Sequence, residues 1–304
     1  MNWLRDIRTK LRPEEVIALI FLTAFGVAAA SWRIHAMWDP LTMLTVLIYL
    51  IPALMIGAIA SVTQRSGKKF WRVFRDFLPF LVVIWAYENM HLVTETVHFE
   101  DKHQWLIAAD EWMFRGVNPV VWLERWTSPS LTNLMSAAYA GYFFYTPVLA
   151  MVLYRRGQIG GFRDTMLAVV MTLLFGFIGY VAVPALAPFF TMRERFSVSL
   201  QGSPLAQKAL DLYTISSLEV PRDCFPSLHT AVTLVGLVFA WRLWRGYFWV
   251  LLPCAAALVF STIYLRLHYV IDLVAAAPLA AITIWAAPRL NRWWYNAAPQ
   301  STTR

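Results

Sequence analysis

The sequence predicts an all-α, polytopic integral membrane protein, a helix bundle with about eight transmembrane helices. Of its 304 residues, 59% are hydrophobic and only 14% are charged, whereas roughly 25% of the residues in an average soluble domain are charged. The apolar residues gather into eight stretches, each near the roughly 17 to 25 residues that cross a bilayer as a helix. The 20 Phe and 15 Trp residues exclude an intrinsically disordered chain.

The predicted spans are joined by short polar connections, apart from two long segments. The spans lie at about residues 16–32, 42–62, 77–97, 131–153, 165–186, 226–243, 246–264 and 268–287. The long segments are about residues 98–130 and 187–225. The first of them contains an amphipathic, Trp-rich stretch at 105–126, which we expect to lie along the membrane surface.

Positive charges predict the direction of the spans. Alternate connections, beginning with the N-terminal segment, hold 17 of the 26 Lys and Arg residues, and such residues concentrate on the cytoplasmic side of a membrane. Both termini are therefore predicted to be cytoplasmic. The charges form short clusters between apolar runs, a pattern that disfavours nucleic-acid binding. Alternatively, the basic start, apolar core and small residues at 28–30 form a signal peptide.

A single membrane domain over residues 1–304 is the predicted organisation. Within it we expect an accessory two-span part (1–72), a six-span core (73–290) and a cytoplasmic tail (291–304). The basic segment at 65–75 is the predicted seam between the first two parts. Two cysteines, Cys224 and Cys254, cannot supply a disulfide framework, so helix packing must hold the fold.

Two motifs place ionisable residues at the outer ends of predicted spans, where such residues mark functional sites. The motifs are PRDCFPSLHTA (221–231), with Arg222, Ser227 and His229, and STIYLRLHYVID (261–272), with Arg266, His268 and Asp272. The predicted topology brings both motifs to one membrane face. Antiparallel packing of the last three spans then lets the two histidines face one cavity.

The spacing within the motifs indicates phosphoryl chemistry. His268 and Asp272 are four residues apart, so the carboxylate can accept the imidazole N–H and fix the tautomer of a nucleophile. The start of a helix favours a phosphate, for which Arg222, Ser227 and Arg266 are the predicted ligands. His229 can protonate a leaving alkoxide. The alternative for either histidine alone is an interfacial polar residue without catalytic function.

A second polar stripe lies at the outer end of the third predicted span. It consists of Glu88, His91, Glu95 and His98, which form two Glu-x-x-His units. Di-iron proteins use this unit on two different helices, with further Glu residues from others. Because both units here are on one helix, we expect Glu88 and His91 to form a polar wall of the same cavity, or a helix end that emerges into water. The sequence predicts no metal and no cofactor.

FPSLH at 225–229 and STIYLRLHYVID at 261–272 together resemble the type 2 phosphatidic acid phosphatase superfamily. More narrowly, they are similar to its branch that contains fungal inositol phosphorylceramide synthase. The resemblance implies that His268 is the nucleophile, that Asp272 orients it, and that His229 acts as acid and base.

The sequence also departs from the superfamily pattern. Thr262 stands where the superfamily has an Arg six residues before the nucleophile, and Arg266 is its expected substitute. The superfamily's upstream Lys and Arg-Pro motif is not recognisable at 183–190, which leaves Arg193 and Arg195 as further candidates for a phosphate contact.

These observations predict an enzyme that acts on membrane lipids, as donor and acceptor, at the extracytoplasmic face. The resemblance implies a transferase that carries a polar head group, such as phosphoinositol, between lipids through a phosphohistidine-type intermediate. A lipid phosphate phosphatase, acting on phosphatidic acid or a polyprenyl phosphate, is the alternative. A further alternative is a non-catalytic transporter or membrane subunit that binds anionic lipids. The sequence identifies no protein partner.

Overall fold

The computed structural model describes residues 2–32, 40–94, 100–219 and 222–296. Within these ranges the regular structure is helical and contains no strand, which confirms the predicted all-α, polytopic class. The helices are α1 (Asn2–Lys10), α2 (Pro13–Trp32), α3 (Pro40–Ser66), α4 (Lys69–Glu88), α5 (His91–Thr94), α6 (His103–Met113), α7 (Pro119–Trp122), α8 (Pro129–Ala140), α9 (Tyr142–Arg155), α10 (Ile159–Ala182), α11 (Pro188–Thr191), α12 (Pro204–Glu219), α13 (Leu228–Leu243), α14 (Arg245–Tyr264) and α15 (Val270–Asn296). Short 3-10 turns at Leu123–Trp126 and Arg193–Arg195 follow α7 and α11.

Five helical segments in the described ranges are long and apolar enough to cross a membrane. They are Val46–Ser66, Pro129–Arg155, Ile159–Ala182, Arg245–Tyr264 and Val270–Asn296. The predicted span at 226–243 corresponds to α13, which is apolar but shorter. The predicted spans at 16–32 and 77–97 fall on α2 and on α4 with α5. Helix therefore covers most of each predicted span, residues 95–97 of the third span lie outside the described residues, and eight crossings stay a prediction.

Helix α10 lies at the centre of the bundle and packs against α2, α4, α9, α13 and α15. Leu167, Ala168 and Phe177, which lie on it, are fully buried. A helix that is apolar on all sides is typical of such a central position. The hydroxyls of Thr172 on α10 and Thr283 on α15 lie 2.7 Å apart, an interhelical hydrogen bond of the kind that joins membrane helices.

The last three long helices bring the ends of the two motifs together. Helix α13 packs against both α14 and α15, and only Trp244 separates it from α14. The hydroxyl of Ser227 caps the start of α13 by accepting the backbone N–H of Thr230. The backbone N–H of Ser227 donates to the carbonyl oxygen of Asp272 at 3.1 Å. The beginnings of α13 and α15 therefore meet at one end of the bundle, called the motif end.

Helix α6 lies across the motif end. Its Leu106, Ile107 and Asp110 are buried, whereas Trp105 and Trp112 are 57% and 84% exposed. This distribution agrees with the amphipathic, Trp-rich surface segment that the sequence predicts. The buried face of α6 packs against the start of α15, so α6 closes one side of the motif end.

At the opposite end, a network of ion pairs links the N-terminal helices to α4 and α9. Arg75 on α4 donates two hydrogen bonds to Glu15 on α2, at 2.6 and 2.7 Å. Arg12 pairs with Asp76 at 2.5 Å, which also accepts the hydroxyl of Tyr154 at 2.8 Å. Removing one partner of a buried pair leaves an uncompensated charge. The network therefore fixes α2 to the rest of the bundle, close to the predicted seam.

Candidate active site

His229 and His268, one from each motif, face each other at the motif end. Nε2 of His268 lies 3.4 Å from Nδ1 of His229, and the ring centroids are 5.6 Å apart. His229 is on the first turn of α13, and His268 lies in the loop just before α15. The two side chains are thus adjacent, although 39 residues separate them in the sequence.

Asp272 holds the ring of His268 from the other side. Its Oδ2 lies 3.2 Å from Nδ1 of His268 and accepts the backbone N–H of Tyr269 at 2.8 Å. Asp272 itself is fully buried. A proton on Nδ1 satisfies this carboxylate and leaves the lone pair of His268 Nε2 directed at His229. The pair of residues is therefore arranged to present one ring nitrogen as a nucleophile.

The thiol of Cys224 completes the surroundings of Asp272. Its Sγ lies 3.1 Å from Oδ2 of Asp272 and 3.7 Å from Nδ1 of His268. Burial, together with the charge of Asp272, raises the pKa of the Cys224 thiol well above its ordinary value. The thiol is therefore a proton donor to Asp272 at neutral pH.

Cys224, His268 and Asp272 are also residue types that bind metal ions, and their ligand atoms lie within 4.8 Å of one another. The metal-binding form of cysteine is the thiolate. The raised pKa of the Cys224 thiol disfavours that form, so this trio fits a hydrogen-bonded cluster better than a metal site.

Two tyrosines flank the ring of His229. The ring centroids of Tyr139 and Tyr142 lie 4.6 and 4.5 Å from that of the histidine. These tyrosines are not among the residues predicted from the sequence, because their positions on either side of Gly141 give no periodic signal. The two aromatic rings therefore pack against His229 and reduce the space around its ring.

The predicted phosphate ligand Arg222 is already paired. Its guanidinium donates to both carboxylate oxygens of Asp101, at 2.6 and 3.3 Å. Its backbone is in the left-handed region, at φ 73°, which is uncommon for residues other than glycine. A phosphate bound by Arg222 would have to share this guanidinium with Asp101.

Arg266, the other predicted arginine, is buried and also paired. It donates to Glu124 at 3.1 Å and to the carbonyl oxygen of Val198 at 2.6 Å. The guanidinium lies 3.8 Å above the ring of Phe196. Arg266 thus joins the loop before α15 to the two long segments that contain Glu124 and Val198. One side of Arg266 borders a polar cavity of about 470 Å³.

The remaining predicted phosphate ligands occupy different places. The hydroxyl of Ser227 caps α13 and is fully buried. Arg193 lines the same polar cavity as Arg266, whereas Arg195 pairs with Glu111 at 2.5 Å. A phosphate that entered the polar cavity would therefore meet Arg193 and Arg266 first.

Only part of the second polar stripe falls on described side chains. Glu88 lines an apolar cavity beside His229. The side chain of His91, and residues Glu95 and His98, lie outside the described residues. In the same cavity wall, the hydroxyl of Tyr87 donates to Asp223 at 2.7 Å. Glu88 therefore borders this cavity, and a functional role for Glu88 and His91 stays a prediction.

Known proteins share the region that carries this site. Residues 104–286 match the PAP2 superfamily. The chain belongs to the PAP2 superfamily. The matched region is more than half of the chain and runs from α6 to α15, including both motifs. Membership in the PAP2 superfamily supports an enzyme of the phosphatase or phosphotransferase kind.

A curated relative is similar over part of the chain. It is the inositol phosphorylceramide synthase of Candida albicans (strain SC5314 / ATCC MYA-2876), 29% identical over 150 residues. The aligned region is 46% of this chain and 32% of the relative. The chain therefore covers about a third of that protein's length. No solved structure matches the chain.

Within the PAP2 region, Asp110 supports the site from outside the two motifs. Its carboxylate accepts the backbone N–H groups of Val270 and Ile271 at 2.9 and 2.8 Å. Burial raises the pKa of Asp110 to about 6, although both hydrogen bonds act in the opposite direction. A carboxylate at the start of a helix satisfies unpaired N–H groups and interacts favourably with the helix dipole.

Asp110 is not among the residues predicted from the sequence, although a signal for it is present there. Asp110 follows Leu106 and Ile107 by four and three residues, so all three side chains lie on one face of α6. An acid on the apolar face of an amphipathic helix needs a partner when that face is buried. The partner here is the start of α15, directly after His268.

Proposed function

We propose that this chain is a lipid phosphotransferase that moves a phosphate-linked polar head group, such as phosphoinositol, between membrane lipids through a phosphohistidine-type intermediate. The observation that carries the proposal is the contact of 3.4 Å between Nε2 of His268 and Nδ1 of His229. A nucleophile oriented by a carboxylate, with an acid on its other side, is the arrangement that such a displacement needs.

The proposed reaction has two steps. Nε2 of His268 attacks phosphorus, the bond from phosphorus to the donor's lipid oxygen breaks, and doubly protonated His229 gives one proton to that oxygen. In the second step, His229 takes a proton from the acceptor hydroxyl. The acceptor oxygen then bonds to phosphorus, and the bond from phosphorus to His268 breaks. Asp272 remains a carboxylate throughout and stabilises the charged imidazole of His268.

Two observations favour transfer over hydrolysis. The Candida albicans relative is named a synthase of inositol phosphorylceramide, a name that indicates synthesis rather than hydrolysis. In addition, an apolar cavity of about 360 Å³, lined by His229, adjoins the histidine pair. An apolar cavity can hold a lipid alcohol and limits the local concentration of water.

A lipid phosphate phosphatase is the second candidate. The polar cavity bordered by Arg266 and Leu267 can admit water close to the loop that carries His268. Hydrolysis needs the same nucleophile and acid, with water in place of the acceptor alcohol. The choice between these candidates depends on which nucleophile reaches the intermediate faster.

We also propose that the motif end faces the outside of the membrane and that both termini are cytoplasmic. The support is the distribution of charge, because 17 of the 26 Lys and Arg residues lie on the side of the termini. The lipids of the outer leaflet would then be the donor and the acceptor.

The decisive experiment supplies the purified protein with phospholipids that carry labelled head groups, with and without ceramide or diacylglycerol. Transfer predicts a new labelled phospholipid that depends on the acceptor. A lipid phosphate phosphatase would instead release labelled inorganic phosphate from phosphatidic acid, supplied in a parallel assay, at the same rate with and without the acceptor. If neither product forms, and the double variant H229A/H268A still supports the biological role, the protein is a non-catalytic lipid-binding subunit.

A further inference from the structure

The apolar cavity beside His229 is built largely from aromatic side chains. The aromatic wall consists of Phe80, Tyr139, Tyr142, Phe143, Phe177 and Tyr180. The cavity lies among α4, α9, α10 and α13, and its volume of about 360 Å³ is in the range of small-molecule sites. We call it the aromatic cavity.

The aromatic cavity opens sideways between α4 and α9. Ile84 on α4 and Phe143 on α9 both line it, yet they are 43% and 63% exposed on the surface of the bundle. Exposed apolar side chains on membrane helices face lipid. A lipid molecule can therefore reach His229 from the bilayer without passing through water.

The polar groups of the aromatic cavity disfavour a phosphate. Its described lining residues include two acids, Glu88 and Asp223, and neither Lys nor Arg. A phosphate placed here would be close to like charges in a site of low dielectric. A hydroxyl or an amide is compatible, because it can donate a hydrogen bond to a carboxylate.

The polar cavity has the complementary character. Among its lining residues are Arg193 and Arg266, together with Ser197, Ser199 and Gln207. Guanidinium groups bind phosphate oxygens, and hydroxyl and amide side chains bind a polyol. Tyr213 lines both cavities, so its ring lies at the boundary between them.

We infer that the aromatic cavity binds both lipid alcohols of the reaction in turn, the one that leaves the donor and the one that accepts, while the head group stays in the polar cavity. This inference rests on the proposed function. Both alcohols exchange a proton with His229, and His229 lines the aromatic cavity. The alcohol oxygen is therefore in the same place when its bond to phosphorus breaks and when the new bond forms.

A test can use p-nitrophenyl phosphate as a soluble donor and dioctanoylglycerol or hexanoyl ceramide as the alcohol. His268 displaces nitrophenol and takes the phosphoryl group. The lipid hydroxyl then gives its proton to His229 and takes the phosphoryl group as a lipid phosphate. Nitrophenol release measures how much intermediate forms, so the ratio of lipid phosphate to nitrophenol measures the fraction of the intermediate that reacts with the lipid alcohol rather than with water.

The variant Leu173→Trp places a larger side chain in the wall of the aromatic cavity. We expect the ratio of lipid phosphate to nitrophenol to fall by about tenfold or more, the effect of about 1.4 kcal/mol of lost binding. The matched control is Ile178→Trp on the same helix, because Ile178 is 51% exposed and lies outside the cavity lining. This control should keep the parent ratio.

A second measurement uses the unmodified protein and so does not depend on the folding of a variant. Dioctanoylglycerol should inhibit transfer to hexanoyl ceramide competitively, because the two alcohols need the same cavity. Non-competitive inhibition, or a ratio that Leu173→Trp leaves unchanged, would overturn the inference while the proposed function stands. Absence of both nitrophenol release and head-group transfer in the unmodified protein would instead refute the proposed function.

Discussion

Nε2 of His268 and Nδ1 of His229 lie 3.4 Å apart, so one of these nitrogens carries the proton and the other provides the lone pair. Asp272 lies 3.2 Å from the other nitrogen of His268 and favours a proton there. His229 is therefore the donor in this contact. A phosphate bound at Nε2 would take the place of His229, which is then free to protonate a leaving oxygen.

The two histidines should differ in their effect on a covalent intermediate. We expect His268→Asn to abolish the intermediate and to lower turnover by about 10³-fold or more. His229→Asn should still accumulate it from p-nitrophenyl phosphate, because nitrophenol needs little help from an acid in order to leave. Rapid acid quenching with a labelled donor would measure the intermediate. Accumulation in His268→Asn would assign the nucleophile to another residue.

Replacing Asp272 by Asn should slow the reaction strongly with a smaller effect on folding. The amide can accept the backbone N–H of Tyr269, which Asp272 accepts at 2.8 Å, but it stabilises a charged imidazole poorly. By analogy with other histidine and carboxylate pairs, we expect turnover to fall by about 10²- to 10⁴-fold. Turnover and thermal melting of the same preparation would separate the two effects. Parent-like turnover would remove Asp272 from the site.

Asp110 should make the stability of the fold depend on pH. Its pKa of about 6 in the folded protein lies above the ordinary 3.8, so folding favours the protonated form. The stabilisation of the folded state by protonated Asp110 is fully present below about pH 4. It is lost as the pH rises through about 6, and the total loss is roughly 3 kcal/mol. Asp110→Asn lacks the titrating group, so its melting temperature should fall less between pH 4 and pH 7 than that of the parent.

The control for Asp110 is Glu111→Gln on the same helix. The side chain of Glu111 is 33% exposed and pairs with Arg195, so its replacement removes a surface charge and leaves the start of α15 intact. This variant should retain the pH dependence of the parent. Parallel melting curves for the parent and Asp110→Asn would show that Asp110 is not the group responsible.

The long helices and the two motifs could be predicted because their signals are local. Apolar runs of membrane-spanning length predict helices directly. His268 and Asp272 are separated by one helical turn, so their contact follows from spacing alone. The proximity of His229 and His268 needed a further step, namely that short connections make successive helices neighbours.

The partners of the two arginines could not be predicted, because they depend on contacts between distant segments. Arg222 pairs with Asp101 across 121 positions, and Arg266 pairs with Glu124 across 142. Both acids lie in the long segment before α8, for which the sequence predicts only an amphipathic surface. Both arginines are therefore partly neutralised in the folded protein.

The burial of Cys224 could not be predicted from the sequence either, and it changes how the topology should be tested. Its place before an inward-running span predicts a thiol that is accessible from outside. In the structure the side chain of Cys224 is only 1% exposed, and burial raises its thiol pKa. Because the thiolate is the reactive form, Cys224 should resist a thiol reagent in the folded protein and react only after unfolding.

Membrane sidedness should instead be measured at exposed positions, in a background in which the exposed Cys254 is replaced by Ala. Gln201 is an exposed residue of the loop before α12. Thr9 is an exposed residue of α1, which precedes the first predicted span. If the termini are cytoplasmic, an impermeant maleimide added to sealed cells should label Gln201→Cys and leave Thr9→Cys unlabelled. Permeabilisation should expose both. Labelling of Thr9→Cys alone in sealed cells would reverse the topology and place the histidine pair on the cytoplasmic side.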